Sequence, residues 1–170
     1  KGLVDRFIET VPLPWRPTRN YTIAFPVRSN FIDFLNVTAR STPAAWRSEV
    51  FNLSPTDFES EHVGTWRLPQ TSADPTSAIE FAVQAWWADH LPDTRPSRLT
   101  FILINRIAEL ILRSAPTIAR ALRMTYPFVF LDEFQDCTGQ QYELIRIAFH
   151  GSAIQLTAVG DTKQRIMGWA

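Results

Sequence analysis

Phe128-Val129-Phe130-Leu131-Asp132-Glu133-Phe134-Gln135-Asp136 is the stretch on which the reading of this chain turns. Its first four residues are too few for a helix and are apolar on both faces, as expected of a strand buried inside a parallel sheet. Two carboxylates follow at once. Beyond them, Thr138 and Gln141 form a capping box that opens a helix, and Tyr142, Ile145 and Phe149 share one face of it until Gly151 ends it. Ile154 to Val159 then reads as a second strand, running into Gly160-Asp161. A strand, helix, strand unit with a right-handed crossover makes its two strands parallel.

In a parallel α/β sheet, ligands bind outside the carboxyl ends of the strands, so Asp132, Glu133 and Asp161 are expected to converge on one crevice. A carboxylate directly after a buried apolar strand suits a magnesium nucleotide site, because Mg²⁺ takes hard oxygen ligands and keeps several waters while bridging phosphates. Asp132 fits that role. Glu133, pointing the other way along the turn, can orient and activate a water for attack on a terminal phosphate.

Further upstream, Phe101-Ile102-Leu103-Ile104, Ile107-Ala108 and Ile111 predict an apolar helix, and Pro116 to Met124 predicts a shorter one. Ten of the twelve prolines precede Ser97, so the first part of the chain is expected to be irregular. Within it, a capping box of Ser77 and Glu80 starts a helix carrying Ile79, Val83 and Trp86, which Pro92 stops. A second helix is expected from Ser29 to about Arg40, with Phe31, Phe34 and Leu35 on one side, and a short strand within Tyr21 to Val27. The change of texture places a boundary near Ser97. Residues 1–97 hold nine basic and eleven acidic side chains, and the rest hold eight and six.

Composition bounds the function. At 170 residues and 45% hydrophobic, the chain can bury one compact core or two small ones. Seventeen basic against seventeen acidic side chains give no net charge, which excludes a protein that wraps nucleic acid by bulk charge. Any DNA contact is local. A single cysteine, Cys137, excludes an internal disulfide and a zinc cluster of cysteine pairs, so a reducing, cytoplasmic setting is expected. No apolar stretch reaches the roughly 18 residues of a membrane span, and no signal-peptide pattern opens the chain. The ends, Lys1 and Gly168-Trp169-Ala170, read as those of an excised piece.

Phe128 to Asp136, followed by Gln140-Gln141 and then Ala158-Val159-Gly160-Asp161-Thr162-Lys163-Gln164-Arg165-Ile166, resembles consecutive motifs II (the Walker B motif) and III of UvrD/Rep-type superfamily 1 DNA helicases. The Asp-Glu-x-Gln-Asp sequence is the distinguishing mark, and Leu99 to Tyr126 resembles the segment that precedes motif II. The resemblance covers roughly residues 98–170. It implies an α/β fold: part of a P-loop NTPase (RecA-like) parallel sheet at 98–170, in the ATP-binding motor domain, with residues 1–97 as a largely helical inserted accessory subdomain.

The resemblance further implies ATP and Mg²⁺ as cofactors. Asp132 holds the metal through water, Glu133 is the catalytic base, and Gln164 touches the γ-phosphate and reports its presence. Gln135, Gly160 and Asp161 line the nucleotide site with them. Trp169 stands where the family places an aromatic that stacks on a base of single-stranded DNA, a sequence-tolerant grip. Implied partners are single-stranded and duplex DNA and the remainder of the same polypeptide, which would carry the Walker A segment and second motor domain. The implied activity is ATP-driven 3′ to 5′ movement on single-stranded DNA with duplex unwinding. Three positions depart from the family: Cys137 for threonine, Met167 for tyrosine and Ala170 for arginine. No Gly-x-x-x-x-Gly-Lys phosphate loop occurs in these 170 residues, so the chain by itself is expected to be inactive.

Other readings compete. An arbitrary acidic cluster more often caps a helix and pairs with arginines such as Arg146 or Arg165, but the matched motif spacing reverses that preference. A two-metal nuclease would need a companion signature that the chain lacks. A catalytically inactive nucleic-acid-binding or scaffold relative could keep Asp132 and Glu133 by descent. Trp15, Trp46, Trp66, Trp86 and Trp87 read as packing residues. Arg106, Arg113, Arg120 and Arg123 read as solvated helix faces rather than a phosphate path. His62, His90 and His150 form no zinc pattern, and Cys137 reads as a small buried residue.

Overall fold

The computed structural model of the protein describes residues 1–68 and 74–161. The chain divides into two compact units, Lys1–Ile107 and Ala108–Ala170.

The first unit opens with α1 (Gly2–Phe7), two 3₁₀ turns and β1 (Thr22–Ile23). Helix α2 (Arg28–Ser41) follows, as the Phe31 and Leu35 spacing predicts, and both residues are buried. The side chain of Asn30 starts it by accepting a hydrogen bond from the Val27 N–H at 2.8 Å. A short helix α3 (Arg47–Phe51) and a π-helical turn (Phe58–Val63) lead to α4 (Ala78–His90). At its start Ser77 Oγ accepts from the Glu80 N–H at 3.2 Å, but the capping box does not close. The Glu80 carboxylate instead accepts from the N–H and hydroxyl of Thr76, both at 2.6 Å, one residue earlier than the motif predicts. Trp86 and Trp87 are buried, as expected of packing residues, and Trp15 stands edge-on to Trp87 at 5.7 Å.

Strand β2 (Arg98–Leu99), which the sequence did not announce, pairs parallel to β1 in the register Thr22↔Arg98 and Ile23↔Leu99. Thr18 and Ser97 lock that pairing, each hydroxyl accepting from the other's N–H, at 2.9 and 3.0 Å. Thr100 Oγ1 then accepts from the Leu103 N–H and begins the apolar helix α5 (Phe101–Ser114). The boundary between the two units falls inside this helix.

The second unit holds the rest of α5, then α6 (Pro116–Thr125), β3 (Phe128–Leu131), α7 (Gly139–Phe149) and β4 (Gln155–Ala158). Pro116 sits in the first turn of α6, where its missing N–H costs nothing. Strands β3 and β4 are parallel, in the register Phe128↔Gln155 through Leu131↔Ala158. The capping box of α7 is complete: Thr138 Oγ1 accepts from the Gln141 N–H at 3.2 Å, and Gln141 Oε1 accepts from the Thr138 N–H at 2.9 Å. Past its end, Gly151 takes the left-handed backbone (φ 68°) that stops a helix.

Three further expectations need correction. Strand β3 is not buried on both faces, since Phe128 and Phe130 are 63% and 75% exposed. Among the described residues its sheet has only two strands, and α7 lies over the Leu131 and Leu156 side, leaving a cavity of about 240 Å³ with Phe134, Tyr142, Ile145 and Phe149. The arginines of α5 and α6 are not all solvated. Arg106 is 4% exposed, Arg113 Nε pairs with buried Glu109 at 3.0 Å, and Arg123 donates to the Ala148 and Ile147 carbonyls at 2.6 and 3.1 Å. Arg123 thereby satisfies open carbonyls at the end of α7. Finally, Cys137 is half-buried rather than buried, with partial burial pushing its thiol pKa up.

No described helix is long and apolar enough to cross a membrane.

Candidate functional site

The parallel strands bring two loops together at their carboxyl ends. The Val159 N–H donates to Leu131 O at 2.8 Å, and the Phe134 N–H donates to Val159 O at 2.9 Å, so the chain after β3 folds back across the end of β4. Phe134 to Asp136 then makes one 3₁₀ turn before α7.

Glu133 pivots this loop. Its backbone is left-handed, φ 51° and ψ 39°, and among the described residues no other non-glycine has a positive φ. A non-glycine residue reaches that region only at a cost, and such costs gather where a side chain must be aimed. Gln135 does the aiming: its Nε2 donates to Glu133 Oε2 at 2.5 Å, while its Oε1 accepts from the Asp161 N–H at 3.0 Å. One amide side chain thus joins the acidic pair after β3 to the loop after β4.

Gly160 makes room for that bridge. A Cβ at Gly160 would lie 2.5 Å from Gln135 Oε1 and 3.0 Å from its backbone nitrogen, so any larger residue has to displace Gln135. Asp132 Oδ1 accepts from the Glu133 N–H at 3.0 Å, and its other oxygen has no protein partner among the described residues.

Asp132, Glu133, Gln135, Gly160 and Asp161, all expected at the site, therefore lie together at the strand ends. Gln164 and Trp169 lie outside the described residues. The expected convergence of three carboxylates is met only in part. Among the described residues no three histidine, cysteine or carboxylate side chains are grouped to hold a metal, and Asp161 joins the site through its backbone amide. That donor set still fits magnesium, which commonly binds through one or two carboxylates and keeps its remaining waters. It does not supply the amide-rich loop that cradles phosphates. Sequence reasoning missed the bridging role of Gln135. The signal for it was the glycine placed directly between strand and carboxylate, which marks a close approach of backbone or side chain.

The family model for the UvrD/REP helicase N-terminal domain matches residues 78–170. The match begins at the first residue of α4 and takes in both strand-end loops. No curated protein matches the chain.

Proposed function

Because the chain belongs to the UvrD/REP helicase N-terminal domain family, we propose that its parent is an ATP-driven motor that moves 3′ to 5′ on single-stranded DNA and separates duplex. In this reading residues 98–170 are part of the RecA-like ATP-binding domain, with motifs II (Walker B) and III at the strand ends, and residues 1–97 are an accessory subdomain. The observation that carries it is the Gln135 bridge, which holds the Glu133 carboxylate and the loop after β4 in one unit.

ATP bound with magnesium supplies the phosphoanhydride bond whose cleavage drives movement. Asp132, whose second carboxylate oxygen is open, would hold that ion. Glu133 Oε2 is engaged by Gln135, so Oε1, which has no partner among the described residues, is the atom that takes a proton from the attacking water. Gln135 keeps that carboxylate aimed and passes any displacement of it to the Asp161 amide. Gln164 senses the γ-phosphate and Trp169 stacks on a DNA base, completing the coupling between nucleotide and track. Lacking a phosphate loop, the 170-residue chain by itself does not hydrolyse ATP.

The full-length parent tests this. Its ATP hydrolysis is expected to rise with single-stranded DNA and to fall about 10²-fold or more in Glu133→Gln, the usual worth of a general base, while nucleotide binding survives. Absence of DNA-dependent turnover in the intact parent would leave the inactive nucleic-acid-binding or scaffold relative as the better reading.

A further inference from the structure

Helices α2 and α3 enclose an open groove of about 520 Å³, lined by Asn36, Ala39, Arg40, Arg47, Ser48 and Phe51 among others. No carboxylate lines it. The turn between the helices is held by short-range bonds, with the Thr42 N–H and hydroxyl both on Thr38 O, at 3.0 and 2.8 Å, and the Trp46 N–H on Pro43 O at 2.9 Å. Ala39, which lines the groove, is buried.

Ser48 Oγ accepts from Asn52 Nδ2 at 3.5 Å, but the two arginines of the groove are uncommitted. Elsewhere in this unit Arg16 and Arg19 pair with Glu9, and Arg95 pairs with Asp89. Among the described residues neither the Arg40 nor the Arg47 guanidinium has a hydrogen-bond or ion-pair partner. Arg40 does lie in the last turn of α2, where a cation suits the helix dipole, but that placement uses none of its five N–H donors. Phe51 is 62% exposed at the same groove, although burying it would have been stabilising.

Two free guanidinium groups, a flat exposed ring and a lining without carboxylates are what a strand of alternating phosphates and unpaired bases requires. We infer that the α2–α3 groove binds single-stranded DNA, with Arg40 and Arg47 on phosphates and Phe51 stacked on a base. A duplex hides its base faces and an acidic peptide has none, so neither would use the ring. The choice of DNA as the polyanion rests on the motor reading above; the groove and its charge do not.

Fluorescence anisotropy of labelled oligo(dT) against the 170-residue chain, titrated over a range of salt, tests the inference. Arg40→Ala/Arg47→Ala is expected to weaken binding at least tenfold at low salt and to make the slope of log K against log salt shallower by about 1.4, roughly 0.7 for each phosphate no longer neutralised. Phe51→Ser is expected to weaken binding about tenfold with the slope unchanged, because stacking releases no counterions. All three side chains face solvent, and circular dichroism checks that the fold is kept. Failure of the native chain to bind oligo(dT), native affinity and slope in both variants, or equal competition by a poly-glutamate peptide would each overturn the inference. DNA-stimulated hydrolysis by the full-length parent separates the two readings. If it persists while the variants bind like the native chain, the groove is wrong and the motor stands; if it is absent while the variants lose DNA, the reverse holds.

Discussion

Trp86 in α4 is 2% exposed and touches four rings, stacking on Phe31 at 5.0 Å and meeting Phe34, Phe58 and His90. Phe130 in β3, also a large aromatic, is 75% exposed. The contrast runs through the molecule. Residues 1–107 wrap an aromatic core and carry no hydrolytic motif, whereas the sheet that carries the acidic pair has one face open among the described residues. Local hydrogen bonds, caps and one bridging amide hold the candidate site in shape; a surrounding core does not. An apolar run therefore marks a strand without saying what will cover it.

The largest test of this contrast compares the two aromatics directly. Trp86→Ala should cost about 3–5 kcal/mol, a large share of the stability of a small domain, while Phe130→Ala should stay within about 0.5 kcal/mol in this chain. Denaturant unfolding followed by circular dichroism reads both, and equal losses would break the comparison. Next, Gly160→Ala should cost about 1–3 kcal/mol, because its Cβ would enter the space of Gln135. Faster hydrogen exchange of the Asp161 amide reports the broken bridge, and Gln135→Ala in the same chain should relieve part of the clash, giving non-additive losses.

Thr138→Ala sharpens the comparison at about 1 kcal/mol, since the cap of α7 is a local device in a region short of core. A loss confined to α7 amides is expected; a loss spread over the whole chain would mean that the cap supports more than its own helix.

The smallest effects are in the pH dependence of the first unit. Burial holds the pKa of His90 below the ordinary value of 6.5, with its Nδ1 2.9 Å from Trp86 O, Asp89 favouring the charged form and Arg98 and Arg95 opposing it. The folded state thus resists protonating His90, and its contribution is present above 6.5 and lost as pH falls through the lowered value. Glu59, hydrogen-bonded by the Thr100 hydroxyl, is pushed up from 4.5 by burial. Its contribution is present below 4.5 and lost as pH rises through the raised value. Melting temperature against pH should show His90→Gln flattening the acid side of the profile and Glu59→Gln flattening the loss above 4.5.

Much of the fold is legible in the sequence. The Thr138 and Gln141 box, the Ser29 to Arg40 helix, the Pro116 start and the two parallel strands all follow from signals spaced two to four residues apart, and each stands where the pattern puts it. The shifted cap at Glu80 shows the limit, because Thr76 offers two donors to the same carboxylate and outcompetes the motif. Arg123 escapes such reading because its partners are carbonyls 24 and 25 residues away, invisible to any local pattern.

By itself, then, the sequence determined the strand, helix, strand unit, its caps and the acidic pair at the end of β3, since period, cap chemistry and chirality act within a few residues of chain. Only the tertiary structure decided that Gln135 bridges Glu133 to the Asp161 amide 26 residues on, that Gly160 has to be small, that Arg106 is buried and that Phe130 is not. Those outcomes depend on which elements meet in space, and a side chain's burial or partner is a property of that meeting.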